Sequence, residues 1–207
     1  MKKERGKYIV IEGGEGCGKT TQAELLVNFL NQKGIKTIRA REPGSTPEAE
    51  QIRAVLLNNQ NNLTSLTEVF LFEAARTEFF RREVIPILQT GTSVIADRSG
   101  YSTEAYQGCA GGSNKDLILQ LNHLATFGIR PDLLCILDIE ANQGLSKEQD
   151  SDRFAAKGLA YHEKVNQGYR EIAKRESDIS IVIPYREGDV NGMQEEIRKY
   201  VQERLEI

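Results

Sequence analysis

The sequence predicts an α/β fold built around a mainly parallel β-sheet. Apolar, β-rich runs recur along the chain with helical patterns between them, which is typical of repeated βαβ units. Two of these runs, residues 94–96 and 133–137, are apolar throughout, as expected for central strands that helices cover on both faces. The chain has 207 residues, of which 39% are hydrophobic and 28% charged, so we expect residues 1–207 to form a single domain.

The elements can be assigned in order along the chain. Five strands are predicted over residues 8–12, 37–41, 93–97, 133–138 and 179–183. A first helix over 19–31 is followed by Gly34, a common helix stop. A long helix over 64–88 contains Pro86 in its last turns, and another over 113–127 is stopped by Gly128 and Pro131. Asp189 can cap a final helix that runs to residue 205.

Residues 144–157 break this alternation. The segment GLSKEQDSDRFAAK is highly charged and nearly free of large apolar residues, and it lies between the fourth strand and a helix. We therefore predict a small mobile lid at 144–157.

A glycine-rich loop directly follows the first strand. Residues 13–21, GGEGCGKTT, match the spacing G-x-x-x-x-G-K-[ST] and open the first helix. Glycines let the loop curl until several backbone N–H groups point at one anion, and the helix N-terminus favours negative charge there. The sequence therefore predicts a P-loop NTPase-like three-layer fold that binds a nucleoside triphosphate. The residues predicted to bind it are Gly13, Gly14, Glu15, Gly16, Cys17, Gly18, Lys19, Thr20 and Thr21.

Two residues near the predicted phosphates suggest a magnesium site, and a lysine lies beside them. Lys19 would reach the β- and γ-phosphates, and the Thr20 hydroxyl would coordinate Mg²⁺. Asp97 ends the third strand, where open parallel sheets place ligand-facing residues, and would hold Mg²⁺ directly or through water. Alternatively, Asp97 and Arg98 form only a surface turn. Glu15 would tune the metal or the acceptor's position, or else be a solvated loop side chain.

Composition excludes several other classes of protein. The net charge of −3 argues against a nucleic-acid-binding surface, which normally carries a basic excess. No apolar stretch approaches membrane-spanning length, so we expect no membrane partner. Three cysteines leave no even pairing, and Cys17 lies inside the phosphate loop, which favours a reducing cytoplasm.

Four blocks in order resemble bacterial thymidylate kinases. They are IEGGEGCGKTTQ at 11–22, REPGST at 41–46, FEAAR at 72–76 and DRSGYSTEAYQG at 97–108, with weaker support from DRF at 152–154. The phosphate loop alone would indicate only a superfamily, whereas the REPG and AYQG blocks are specific. The resemblance implies transfer of the γ-phosphoryl group of ATP to thymidine 5′-monophosphate (dTMP), with Mg²⁺, by a homodimer associating through the helices at 64–88 and 113–127.

The resemblance also implies the acceptor site. Phe72 would stack on thymine and Arg76, one turn later, would donate to its exocyclic oxygen. Thr103 and Gln107 would line the base, and Tyr106 would crowd the ribose 2′ carbon. Arg53 and Arg98 would bind the acceptor phosphate, with Glu42 ordering its water and metal. Alternatively, Phe72 is a core residue and Arg53 a solvated one.

The catalytic set implied for the transfer is Lys19, Arg153, Glu15 and Arg98. Phosphoryl transfer needs alignment and charge stabilisation rather than a protein nucleophile. Some relatives carry an arginine in the phosphate loop, but this chain has Gly16 and Cys17 there, so Arg153 in the lid is the best match for a mobile arginine. The lid departs from the family, because only Lys147 precedes Arg153 where relatives carry several arginines.

The sequence is also compatible with two other functions. One is a different P-loop nucleotide or small-metabolite kinase with another acceptor. The other is a nucleotide-controlled switch that binds a partner protein, although we find no guanine-reading N-K-x-D motif.

Overall fold

The computed structural model describes residues 4–147 and 153–206. In this part of the chain, five parallel strands form one sheet in the order β2-β3-β1-β4-β5. The strands are β1 (Tyr8–Gly13), β2 (Thr37–Arg41), β3 (Ser93–Asp97), β4 (Leu133–Asp138) and β5 (Ser180–Pro184). The predicted α/β fold with a five-stranded parallel sheet is confirmed, and the predicted strands differ from these by at most one residue at either end.

The register brings the carboxyl ends of four strands to one edge of the sheet. Ile11 pairs with Asp97, Asp97 with Arg41, and Gly13 with Leu137. The phosphate loop after β1 and the Asp97-Arg98 pair at the end of β3 are therefore neighbours in space, although they are about eighty residues apart in the chain.

Helices connect successive strands. They are α1 (Lys19–Gln32), α2 (Pro47–Leu57), α3 (Ser65–Phe79), α4 (Ile85–Gln89), α5 (Gly100–Thr103), α6 (Lys115–Ala125), α7 (Ala141–Leu145), α8 (Leu159–Arg175) and α9 (Val190–Leu205). The sequence analysis assigned no helix at α2, yet its start carries a local signal. The Thr46 side chain accepts from Ala49 N at 3.1 Å, and Pro47 occupies the first turn.

The long helix predicted over 64–88 is interrupted. A π-helical turn, Phe80–Val84, joins α3 to α4, and a second one, Glu104–Ala110, extends α5. Pro86 lacks an N–H, and its ring occupies space in the preceding turn, which accounts for the wider turn before it. The predicted cap of the last helix is confirmed, because Asp189 Oδ1 accepts from Gly192 N at 2.9 Å.

The core has two layers, one on each face of the sheet. Side chains alternate along β1, so Tyr8 and Val10 face one layer while Ile9 and Ile11 face the other. Helices α1 and α9 cover the second layer, and α3 and α8 contribute to the first. This arrangement confirms the predicted three-layer fold.

The predicted lid is described only at its two ends. Gly144 lies in the last turn of α7, and the chain resumes at Arg153, with a 3-10 turn at Ala155–Lys157 before α8. Residues 148–152, including Asp152 of the DRF block, lie outside the described residues. The lid and the single-domain boundary stay predictions.

Candidate active site

A cleft of about 600 Å³ opens at the carboxyl edge of the sheet. It runs from the phosphate loop, through Asp97 and Arg98, to the face of α3 that carries Phe72 and Arg76. Most of the residues predicted from the sequence line it: Glu15, Gly16, Gly18, Lys19, Thr20, Glu42, Arg53, Phe72, Arg76, Asp97, Arg98, Tyr106 and Gln107.

The phosphate loop adopts a conformation that depends on glycine. Gly13 has φ 145° and Gly16 has φ 65°, in the region that favours glycine. A Cβ on Gly16 would lie 2.2 Å from Gly144 O, so a larger residue cannot fit without movement of α7. Lys19 is buried and folds back on the loop, where its Nζ donates to Gly14 O at 2.6 Å. The buried Cys17 Sγ lies 3.6 Å from the same nitrogen.

Thr20 and Asp97 meet where α1 begins and β3 ends. Thr20 Oγ1 donates to Asp97 Oδ2 at 2.6 Å, and the guanidinium of Arg39 lies 3.8 Å from that oxygen. Among the described residues there is no cluster of three or more histidine, cysteine or acidic side chains suited to a metal. One hydroxyl and one carboxylate nevertheless fit Mg²⁺, because this ion keeps several waters and takes its remaining ligands from substrate phosphates.

Glu15 is held by two residues from the segment after β3. Arg98 Nη2 donates to Glu15 Oε2 at 2.8 Å, and the Tyr106 hydroxyl donates to Oε1 at 2.6 Å. Burial alone would raise the pKa of Glu15, but Arg98 and then Lys19 outweigh burial and lower the pKa to about 2. The carboxylate is therefore charged near neutral pH and lines the cleft together with Arg98 and Lys19.

The sequence analysis did not identify Glu12, a buried carboxylate that stabilises the turn after Arg98. Glu12, on β1, accepts from Ser99 Oγ at 2.8 Å and from the Ser102 amide and hydroxyl at 3.1 and 2.7 Å. It also accepts from the Tyr169 hydroxyl at 2.8 Å. Arg98 has φ 71°, and these bonds hold the turn directly after it, so Glu12 stabilises the backbone that presents Arg98.

Arg76 is buried in a cage of polar side chains. Its Nε donates to Glu42 Oε2 at 2.7 Å, and its Nη1 donates to Glu73 and, at 2.8 Å, to Asn122 Oδ1. Thr103 Oγ1 accepts from Nη2 at 3.1 Å. Thr103, predicted to line the base, is therefore buried behind Arg76 and is not one of the side chains that line the cleft. The cage orients Arg76 without any ligand.

Two carboxylates share the single guanidinium of Arg76. Burial raises the pKa of Glu42 to about 7, Arg76 opposes the rise and Glu73 adds to it. Within the described part of the chain, Glu42 Oε1 is buried and has no hydrogen-bond partner. A proton on that oxygen would relieve the excess negative charge, which explains the direction of the pKa shift.

Aromatic and cationic groups complete the α3 end of the cleft. The rings of Phe72 and Phe154 lie 5.9 Å apart at 46°, and both line the cleft. Arg53 Nη1 donates to Pro43 O at 2.9 Å, beside Glu42. Phe72 is only partly buried against the core and lines the cleft, so part of its side chain is accessible to a ligand.

Arg153 is bound at the α3 end of the cleft. Its Nη1 donates to Glu68 Oε1 at 2.7 Å and its Nε to Leu56 O at 3.1 Å. The polar contacts that the described residues make with Arg153 thus come from α2 and α3 rather than from the phosphate loop. Glu68 was not identified from the sequence, although it lies four residues before Phe72 on the same helical face.

Comparison with known proteins shows which family has this arrangement. The family model described as Thymidylate kinase matches residues 11–197. The chain is 42% identical over 183 residues to a thymidylate kinase from Caulobacter vibrioides, covering 86% of this chain and 88% of that protein. It is 38% identical over 202 residues to one from Symbiobacterium thermophilum, covering 96% and 94%. The chain belongs to the thymidylate kinase family.

A solved structure supports the same conclusion. The crystal structure of thymidylate kinase from Ehrlichia chaffeensis superimposes with a TM-score of 0.80 at 32% identity, covering 96% of this chain and 100% of that one. Membership of the thymidylate kinase family confirms the resemblance drawn from the four blocks and identifies the chain as a kinase. The roles of individual site residues stay predictions.

Proposed function

We propose that this chain transfers the γ-phosphoryl group of ATP to dTMP, giving dTDP and ADP for the synthesis of dTTP. The observation that carries the proposal is the continuity of the cleft. One cavity of about 600 Å³ contains both a phosphate loop with Lys19 and Thr20 and a separate end with Phe72 and Arg76. Two nucleotides can therefore lie end to end in it, as transfer between two anions requires.

At the donor end, residues Gly13–Thr21 would bind the phosphates of ATP. Lys19 Nζ would give up its hydrogen bond to Gly14 O and bind the β- and γ-phosphates instead, because charged phosphate oxygens are stronger acceptors than a neutral carbonyl. Thr20 and Asp97 would hold Mg²⁺, which would supply positive charge to neutralise the phosphates. No protein nucleophile is needed.

At the acceptor end, Phe72 would stack on thymine, while Arg76 and Gln107 would face its polar edge, with Thr103 supporting Arg76. Tyr106 would crowd the 2′ position of the sugar. The Tyr106 hydroxyl donates a hydrogen bond to Glu15, and this bond holds the Tyr106 ring in place.

The acceptor phosphate would lie between Arg53 and Arg98. Forked guanidinium groups suit tetrahedral oxygens. Glu15 would position Arg98, and Glu42 would order water and metal near the acceptor phosphate. Arg153 would join Lys19 around the moving phosphoryl group, and to do so it must release Glu68.

We also propose that the protein works as a cytoplasmic homodimer with neither nucleic acid nor membrane as a partner. The helices α3 and α6 pack together and expose Phe70, 53% accessible, and Leu124, 68% accessible, which favours association through this side. The unpaired cysteines are consistent with a reducing compartment. Among the described residues, no helix is long and apolar enough to cross a membrane.

A coupled ADP-release assay tests the proposed activity. The purified chain with Mg²⁺ and ATP is offered the monophosphates of thymidine, deoxyuridine, uridine, cytidine, adenosine and guanosine. We expect the highest kcat/KM with dTMP. Equal rates with all six, or a faster reaction with a ribonucleotide, would refute the proposal, and slow hydrolysis without transfer would favour a nucleotide-controlled switch.

A further inference from the structure

The side chain of Gln107 is held in one orientation by a buried carboxylate on α3. Gln107 Nε2 donates to Glu68 Oε2 at 2.9 Å, and both side chains are about 1% exposed. A carboxylate accepts hydrogen bonds and cannot donate them. If the amide of Gln107 turned over, its oxygen would face the oxygen of Glu68, so the nitrogen must point toward Glu68.

Two cations lie beside one oxygen of Glu68. Arg153 Nη1 lies 2.7 Å from Glu68 Oε1, and Lys157 Nζ lies 3.4 Å from the same oxygen. The other oxygen of Glu68 is thereby left for Gln107. Gln107 therefore pairs with one oxygen of Glu68, while Arg153 and Lys157, at the C-terminal end of the predicted lid, contact the other.

The other polar atom of the Gln107 amide is its carbonyl oxygen, Oε1. Gln107 lines the cleft, and its Oε1 is buried without a hydrogen-bond partner among residues 4–147 and 153–206. Buried acceptors are nearly always paired in a functional complex, so this oxygen is suited to an N–H group of a ligand. Arg76, two helical turns after Glu68, offers only donors.

We propose that Glu68 is a positioning residue for acceptor specificity, which fixes the amide of Gln107 so that its carbonyl oxygen faces the base. This inference rests on the proposed function. An acceptor at Gln107 and a donor at Arg76 match a base edge with a ring N–H beside a carbonyl oxygen, as in thymine and uracil. Cytosine presents an unprotonated ring nitrogen beside an amino group, and it is mismatched at both positions.

The test substitution is Glu68→Gln. An amide at position 68 can pair with either orientation of the Gln107 amide, so the site no longer rejects cytosine at that position. We expect kcat/KM for dTMP relative to dCMP to fall about tenfold, the order expected for one hydrogen bond. The ratio for dTMP relative to dUMP should stay within about twofold of wild type, because both bases present the same edge.

Two further variants show whether Glu68 acts through Gln107. In a Gln107→Ala background, Glu68→Gln should not change the dTMP to dCMP ratio further. In the exchange variant Glu68→Gln with Gln107→Glu, the new amide donates to the new carboxylate, which still presents an acceptor to the base, so discrimination should return. This variant also serves if Glu68→Gln alone does not fold.

The outcomes separate this inference from the proposed function. If the wild-type protein shows no preference for dTMP, the proposed function fails. If wild type prefers dTMP but Glu68→Gln keeps the dTMP to dCMP ratio within twofold, the role of Glu68 is refuted while the function stands. An equal loss of activity with all acceptors, or no recovery of the ratio in the exchange variant, also refutes it, because a purely structural contact would behave in that way.

Discussion

The stability of this protein should fall as pH rises through the range in which Glu42 ionises. Glu42 is 4% exposed, and burial raises its pKa from 4.5 to about 7, with Arg76 opposing the rise and Glu73 adding to it. The folded state therefore binds a proton more tightly than the unfolded state does. Stability from this group is fully present below pH 4.5 and is lost as pH rises toward 7.

The size of the effect follows from the two pKa values. Each pKa unit corresponds to about 1.4 kcal/mol, so the rise corresponds to about 3 kcal/mol in total. About 2 kcal/mol of this should be lost between pH 5.5 and 8.5. Glu15, whose pKa is lowered to about 2, contributes in the opposite direction but outside this range.

Glu42→Gln isolates the contribution of this carboxyl. The amide keeps the shape of the side chain and does not titrate, so the variant should lose the fall of about 2 kcal/mol relative to wild type. Urea unfolding of both proteins at pH 5.5, 7 and 8.5 gives the difference, and groups common to both proteins cancel. A wild-type minus variant difference that is constant with pH, or that grows in favour of wild type as pH rises, would show that the reasoning is wrong.

Three more substitutions test other parts of the site and surface. Lys19→Met should lower kcat about 10²-fold to 10³-fold in the ADP-release assay, because the moving phosphoryl group loses a cation, and a loss under tenfold would contradict that role. Glu12→Gln should cost about 2 kcal/mol in urea unfolding, since an amide cannot accept four hydrogen bonds. The cost should exceed that of the control Tyr169→Phe, which removes one of the four bonds to Glu12 and one to Ser102. Phe70→Glu should convert a dimer to a monomer, as measured by light scattering. The control Val182→Glu, on the edge strand β5, should leave the mass unchanged. An unchanged mass with Phe70→Glu would argue against association through α3.

The parts of this protein that could be predicted from sequence have local causes. The glycine spacing of the phosphate loop requires positive φ at Gly13 and Gly16, and the structure has it. The near-continuous apolar character of residues 133–137 predicted a strand buried on both faces, and β4 is one. Even the missed helix α2 starts with a local signal, a threonine cap followed by Pro47.

The polar network of the cleft is set by tertiary structure. Glu12 and Tyr169 are 157 residues apart in the chain, and Glu68 and Arg153 are 85 apart, yet each pair is joined by a hydrogen bond. In a sequence, a glutamate that will be buried among donors looks the same as one that will face water. Arg153 was predicted to act on phosphate, but the fold binds it to Glu68, a residue that helical spacing alone had not distinguished from its neighbours.

The fold class, the phosphate loop and the family could be predicted from local patterns, because glycine conformation, periodicity and ordered motifs each depend on short stretches of chain. The identity of the buried carboxylates, and of the donors from which they accept, is apparent only in the folded chain. That identity depends on burial and on partners brought together by the order of the strands, which no local pattern contains.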